Sequence, residues 1–345
     1  MNARSDCAAL TPDWLASNRL AAADPNGDKE GRGHVLVVAG SREMPGAAML
    51  AAMAALGAGA GKLTIVTAAS TARALAIALP EARVIGAPEA ASGALLLRDL
   101  PVWCGTGRLR HDAVLIGPGL QGGCAGFDDA TPDVAAAAQL DRAAAGPGAG
   151  ATGNIRPERA DPQPAPDAAE CQATLDLLDR HGTVPMLVDA AAMDAIPGPS
   201  HGARQRLLTP HAGELAHLLD RDKRTVLRDP ERAAADAAAR WGVHVLLKGA
   251  TTVLASPQGV SWRHDSCHPG LGTSGSGDVL AGTITGLLAQ GASLGAAAAW
   301  GVALHARCAE RLARRIGPIG YLARDIVAQI PRAALDLQLR EPASA

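Results

Sequence analysis

Aromatic side chains are scarce in this chain. Its 345 residues include one Phe, one Tyr and five Trp, so a core cannot rest on stacked rings and has to close through small aliphatic side chains at short range. Net charge is also lacking: 32 Lys and Arg against 34 Asp and Glu leave a formal −2. That balance offers no long-range field to nucleic acid or to an anionic membrane, and neither is expected as a partner. No C-x-x-C pair is present. Cys7, Cys104, Cys124, Cys171, Cys267 and Cys308 fit no zinc spacing and read as the reduced thiols of a reducing compartment. The first twenty residues carry Asp6, Asp13 and Arg19 without an apolar h-region, so no signal peptide is expected and the location expected is cytoplasmic. Two long stretches have no charge, 44–61 and 279–304. The first is mainly Ala and Gly, and the second is interrupted at Gln290-Gly291-Ala292-Ser293, so both read as buried helices rather than membrane spans.

What is present is a 48% hydrophobic chain rich in Ala and Gly, patterned as short apolar strands alternating with helices. His34 to Val38 reads as a buried strand running into a Gly turn, with a helix from about Gly46 to Leu56. Strands are expected at 62–67, 113–117, 186–189, 206–209 and 244–248. Thr251 to Leu254 is expected to fold back antiparallel after the Gly249-Ala250 turn. Long helices are expected at about 278–289 and 294–314. This alternation predicts an α/β fold, a mostly parallel central sheet with helices on both faces. Nearly every strand ends in Gly, Asp, Thr-Pro or Lys, and ligands of such sheets bind outside the carboxyl ends of the strands. The expected organisation is an extension at 1–24, a single domain at 25–335 and a tail at 336–345. Within the domain, the Ala-, Pro- and Gly-rich stretch 121–171 has little apolar periodicity and reads as a mobile surface insertion, a lid being the alternative.

Five turns carry candidate chemistry. Gly270-Leu271-Gly272-Thr273-Ser274-Gly275-Ser276-Gly277-Asp278 runs straight into a helix. Free N–H groups at the helix start and the helix dipole suit a phosphate or a developing oxyanion, with Asp278 at the junction; an N-cap in a plain Gly-rich turn is the alternative. Lys248, ending a strand beside Gly249, could reach a phosphate, with Thr251 and Thr252 adding hydroxyl donors, or it could be a solvated lysine at a hairpin. Thr209-Pro210-His211 marks a helix start, with Thr209 as N-cap and Pro210 in the first turn. Gly40 to Ala48 and Gly117-Pro118-Gly119 leave room for a flat ligand or simply allow close packing.

In this order, the motifs resemble the NAD(P)H-hydrate dehydratases, a branch of the ribokinase-like superfamily. The resemblance rests on Met44-Pro45-Gly46-Ala47-Ala48, Ile116-Gly117-Pro118-Gly119-Leu120, Leu187-Val188-Asp189-Ala190, Thr209-Pro210-His211, Leu247-Lys248-Gly249 and Gly275-Ser276-Gly277-Asp278-Val279-Leu280-Ala281-Gly282. It covers about residues 25–335 apart from the insertion. It implies a ribokinase-like fold and dehydration of hydrated NADH and NADPH with ADP, or ATP, as co-substrate and Mg2+ as the accompanying ion. Asp278 is implied as the catalytic carboxylate beside the substrate. Ala48 (or Ala47), Gly119 and His211 are implied to line the hydrated-nicotinamide site, and Lys248, Gly249, Ala250, Thr251, Thr252 and Gly277 to contact the nucleotide. Ser276 stands where the family has Thr, Ala212 where it has Pro, and His268 where it has Asn. The family's separate epimerase domain is not expected, and a homo-oligomer is. The competing expectations are a kinase for a small hydroxylated vitamin precursor and a non-catalytic adenylate sensor.

Overall fold

The computed structural model describes residues 8–20, 24, 26–97, 110–120, 184–196, 205–266 and 268–338. The proposed insertion at 121–171 lies outside the described residues. The helices are α1 (Pro12–Ser17), α2 (Pro45–Gly57), α3 (Ala69–Ala78), α4 (Ala212–Leu219), α5 (Lys223–Arg228), α6 (Pro230–Trp241), α7 (Ser276–Ala289), α8 (Leu294–Arg315) and α9 (Ala323–Asp336). The strands are β1 (His34–Val38), β2 (Lys62–Ala68), β3 (Arg83–Ala87), β4 (Ala113–Ile116), β5 (Met186–Val188), β6 (Arg206–Leu208), β7 (His244–Leu247), β8 (Thr251–Ser256) and β9 (Gly259–Asp265). They form one nine-stranded sheet in the order β3-β2-β1-β4-β5-β6-β7-β8-β9. Pairing is parallel from β3 to β7 and antiparallel through β8 and β9.

Two strands escape the hydrophobic pattern. β3 begins on Arg83 and is only partly buried, and β9 carries Ser261, Arg263 and Asp265 on an edge where one face meets water. The turn at Thr209 is a correction. Its hydroxyl donates to Asp189 Oδ1 at 2.7 Å instead of capping α4. His211 is the N-cap, and helix begins at Ala212 after Pro210 rather than at it. Residues 8–20 of the expected extension are docked on β9 and α8. Leu10 N donates to Arg263 O at 2.8 Å, and Trp300 Nε1 donates to Asn18 O at 2.7 Å.

Alternate residues of each buried strand face opposite sides, as the two-residue strand period requires. Val35, Val37, Leu115, Leu187 and Leu246 join one core with α2, α7, α8 and α9. Leu36, Val38, Ile116, Val188 and Val245 join the other with α4 and α6. The scarcity of aromatics shows where α2 meets α7. A Cβ on Gly282 would overlap the Ala51 carbonyl, and one on Gly286 would lie 2.5 Å from the Ala55 carbonyl. Only glycine lets these helix backbones approach so closely. Gln290 Nε2, just past α7, donates to Ala58 O at 3.0 Å just past α2. This clasp ties the C-terminal ends of α2 and α7 together. No described helix is long and apolar enough to cross a membrane.

Candidate active site

The sheet order reverses direction between β1 and β4, because β1 leads on to β2 on one side while β4 lies on the other. Such a switch point opens a crevice at the carboxyl edge. Its walls are the turns after β1 and β4, locked together where Gly40 N donates to Pro118 O at 2.7 Å. Gly117, at φ +129°, has its Cα against the Asp189 carbonyl, and a side chain there would collide with it. The neighbouring strand end is thereby drawn into the site. Gly119 faces Ala47 and the Met44 carbonyl, each close to where a Cβ would stand. Ala48 has no exposed surface and packs under Gly40, whereas Ala47 is half-buried. The residue of this pair that meets Gly119 is therefore Ala47.

Three further strand ends bring charge together. Asp189 follows β5, is 2% exposed, and accepts from Thr209 Oγ1 at 2.7 Å and from Lys248 Nζ at 2.8 Å. Thr209 follows β6 and Lys248 follows β7, so one carboxylate ties three adjacent strands. A Cβ on Gly277 would sit 3.5 Å from Lys248 Nζ, which puts the ammonium against the first turn of α7. Burial pulls Lys248 toward neutrality, but Asp189 and then Glu214 hold its pKa above the ordinary lysine value.

Helix α7 starts from Gly275 at φ +85°, with Ser276, Gly277 and Asp278 as its first three residues. Asp278 is thus inside the first turn and not its cap. Burial, reinforced by the Asp189 carboxylate and opposed by Lys248, pushes its pKa up to about 6. A carboxylate near 6 can exist in either form at neutral pH, which suits proton transfer. Ser276 Oγ lies 3.1 Å from Nε2 of His305 on α8, whose own pKa burial lowers to about 4, so this imidazole is neutral.

A cavity of about 1150 Å³ opens beside this helix start, lined by His211, Lys248, Gly249, Ala250, Thr252, Ser276 and Gly277 among others. Its remaining wall sets apolar Leu271, Leu280, Val302 and Ala306 beside the histidines His264, His268 and His305. His211 and Lys248 are joined by a parallel backbone bridge, so residues expected to serve two ligands share one wall. Nδ1 of His211 accepts from the Gly213 and Glu214 amides at 3.0 and 3.1 Å. The ring proton therefore sits on Nε2, 3.7 Å from Glu214. Thr251 and Thr252 donate their hydroxyls to Asp265 and to the Gly249 carbonyl, bracing the hairpin. Among the described residues no group of three or more His, Cys, Asp or Glu is placed to hold a metal ion.

Sequence reasoning gave no site role to Asp189, Ser276 or His305, and read Thr209 only as a helix cap. Asp189 carried one usable signal, a carboxylate closing a wholly apolar strand. His305 carried none, because a histidine in a long Ala-rich helix has no periodic mark of its neighbour on another helix.

A family model for NAD(P)H-hydrate dehydratase matches residues 35–131 and 128–332. The ADP-dependent (S)-NAD(P)H-hydrate dehydratase of Xanthomonas campestris is 39% identical over 89% of this chain and 90% of its own length. The bifunctional NAD(P)H-hydrate repair enzyme Nnr of Moorella thermoacetica is 33% identical over 95% of this chain and 54% of its own length. The chain thus spans about half of that bifunctional relative. In structure it is similar to the ADP/ATP-dependent NAD(P)H-hydrate dehydratase of Bacillus subtilis co-crystallised with ATP and Mg2+, with a TM-score of 0.72 and 24% identity over 96% of this chain and 99% of that one. It is also similar to a ribokinase-like superfamily protein of Enterococcus faecalis, with a TM-score of 0.68 and 22% identity over 98% of each chain. These two structures speak for the ribokinase-like fold.

Proposed function

Because this chain belongs to the NAD(P)H-hydrate dehydratase family, we propose that it dehydrates hydrated NADH and NADPH back to NADH and NADPH, with ADP or ATP as co-substrate. The observation that carries the chemistry is Asp278, a carboxylate near pKa 6 in the first turn of α7, next to Gly277, which with Lys248 lines the cavity. Asp278 accepts the proton of the hydroxyl on the reduced nicotinamide ring. The oxygen then attacks the terminal phosphorus of the nucleotide, and AMP (from ADP) or ADP (from ATP) leaves. The amides of the α7 start and its dipole face the charge that builds on the transferred phosphoryl group. The carbon–oxygen bond breaks next. Phosphate departs with the electron pair, the ring nitrogen lone pair supports the departure, and a proton lost from the neighbouring carbon restores the double bond.

Gly277 and the 248–252 turn fit the nucleotide side of the cavity. Ala47 (in place of Ala48), Gly119 and His211 fit the nicotinamide side, where His211 would present Nε2–H. Mg2+ fits as an ion carried by the nucleotide phosphates. Asp189 is already engaged by Lys248 and Thr209, and an ion that keeps several waters needs few protein ligands. When bound it would neutralise phosphate charge.

The test is turnover of hydrated NADH with ADP or with ATP, read as the return of NADH absorbance together with free phosphate. Phosphate found attached to a stable product would sink this reading in favour of a kinase. No turnover with either nucleotide would sink it as well.

A further inference from the structure

Asp189 lies at the centre of the strand ends, and the catalytic scheme above gives it no step. Its position is nonetheless heavily constrained. Gly117 has no side chain where the Asp189 backbone passes, Thr209 supplies a hydroxyl to it, and Lys248 turns its ammonium to it at 2.8 Å. The same ammonium stands next to the first turn of α7, and Glu214 and Asp278 are the further carboxylates that act on it. One cation thus has three carboxylates around it, and its hydrogen bond goes to Asp189, which does no proton transfer.

We propose that Asp189 is a positioning residue for the dehydration reaction, holding Lys248 off Asp278 so that Asp278 remains a base instead of closing an ion pair. This rests on the proposed reaction for its catalytic meaning, but the electrostatic arrangement can be tested without substrate. The groups that face this cluster are Asp189 at the end of β5, Lys248 at the end of β7, Glu214 on α4, Asp278 on α7, His305 on α8 and His268 ahead of α7. His305 is neutral near pH 6. Lys248 remains charged throughout. Of the two groups that act directly on Asp278, Asp189 raises its pKa and Lys248 lowers it.

The two substitutions therefore have opposite signs. In Asp189→Asn the amide oxygen can still accept from Thr209, but the charge is gone and Lys248 is released toward Asp278. Titration of Asp278 should move down by about one pH unit or more, the size of shift a newly paired cation produces. In Lys248→Gln it should move up from about 6.

The measurement is the pH dependence of the stability difference between each protein and the same protein carrying Asp278→Asn, which isolates the Asp278 titration by linkage and uses no substrate. If Asp189→Asn does not fold, the Lys248→Gln arm decides alone. A titration that stays near 6 in the variants that fold would overturn the proposal. The catalytic arm is the acid limb of kcat. In Asp189→Asn it should move to lower pH while the plateau falls by about 10- to 100-fold, as for a base engaged by a cation. A merely structural role would lower the plateau and leave the limb where it was, which would also overturn the proposal. A protein inactive on hydrated NADH would fail the reaction and leave the linkage result standing.

Discussion

Asp278 carries two signatures that separate in the laboratory. Asp278→Asn should lower kcat by about 10²- to 10⁴-fold, the range for a lost general base, and the parent's kcat should rise with pH through a limb near 6. A limb near 4 would contradict the environment described for this carboxyl. Stability should run the other way. The folded pKa is raised above the unfolded 3.8, so Asp278 contributes fully below about pH 4, and that contribution is lost as pH climbs through about 6. Above that, Asp278→Asn should be the more stable protein, by about 1–3 kcal/mol for a shift of this size. Thermal melts of both proteins between pH 4 and 8 would show whether the curves diverge in that window. His211 also has two duties. His211→Ala should cost about 1 kcal/mol through the lost α4 cap, whereas His211→Asn should keep the cap yet still lose affinity for the hydrated dinucleotide, as read by melting and by titration calorimetry. Equal melting losses in the two variants would remove the capping role. At this scale the sequence showed the loops well. Gly277 and Asp278 announce themselves by spacing, and Lys248 by ending a strand. It did not show that Lys248 would turn to Asp189, because the partner lies 59 residues away and only the strand order makes them neighbours.

At the scale of elements, the packing of α2 on α7 sets the site's geometry. Gly282 and Gly286 sit one and two turns beyond Asp278, against Ala51 and Ala55. Gly282→Val should push the helices apart and tilt the helix start. Overpacking of this kind costs about 1–3 kcal/mol, and kcat should fall although the substitution touches no ligand. Retained activity with an unchanged melting curve would show that the contact yields without disturbing α7. The strands β1, β2, β4 and β7 and the helices α2 and α8 are legible because their apolar runs are long and bounded by Gly or by polar turns. β3 and β9 are not, since half-exposed edge strands mix charged and apolar residues without a clean period. The α4 start was misread by one turn's chemistry. Thr209 has every mark of a cap, but a buried carboxylate competes for its hydroxyl and wins, at 2.7 Å.

At the scale of the whole molecule, the site exists only where β1, β4, β5, β6, β7 and α7 converge, so ligand binding reports on the complete fold. ADP at about 100 times its Kd should add about 2.7 kcal/mol of stability, visible as a rise in Tm that grows with ADP concentration. The same titration with Asp278→Asn should give the same rise, because the proposed reaction assigns that carboxyl to the hydrated ring and not to the nucleotide; a lost rise would reassign Asp278 to nucleotide binding. The clasp between Ala58 and Gln290 joins positions 232 residues apart, and that distance is also an interval of time. At translation speeds of about 5–20 residues per second, roughly 10–50 seconds pass between the emergence of the two halves of the contact. Throughout that interval the alanine face of α2 has been made and the glycine face that fits it has not. The newborn protein therefore waits for a surface that positions its candidate catalytic helix, and a message truncated anywhere before α7 yields a chain in which the alanine face of α2 lacks the glycine face that fits it.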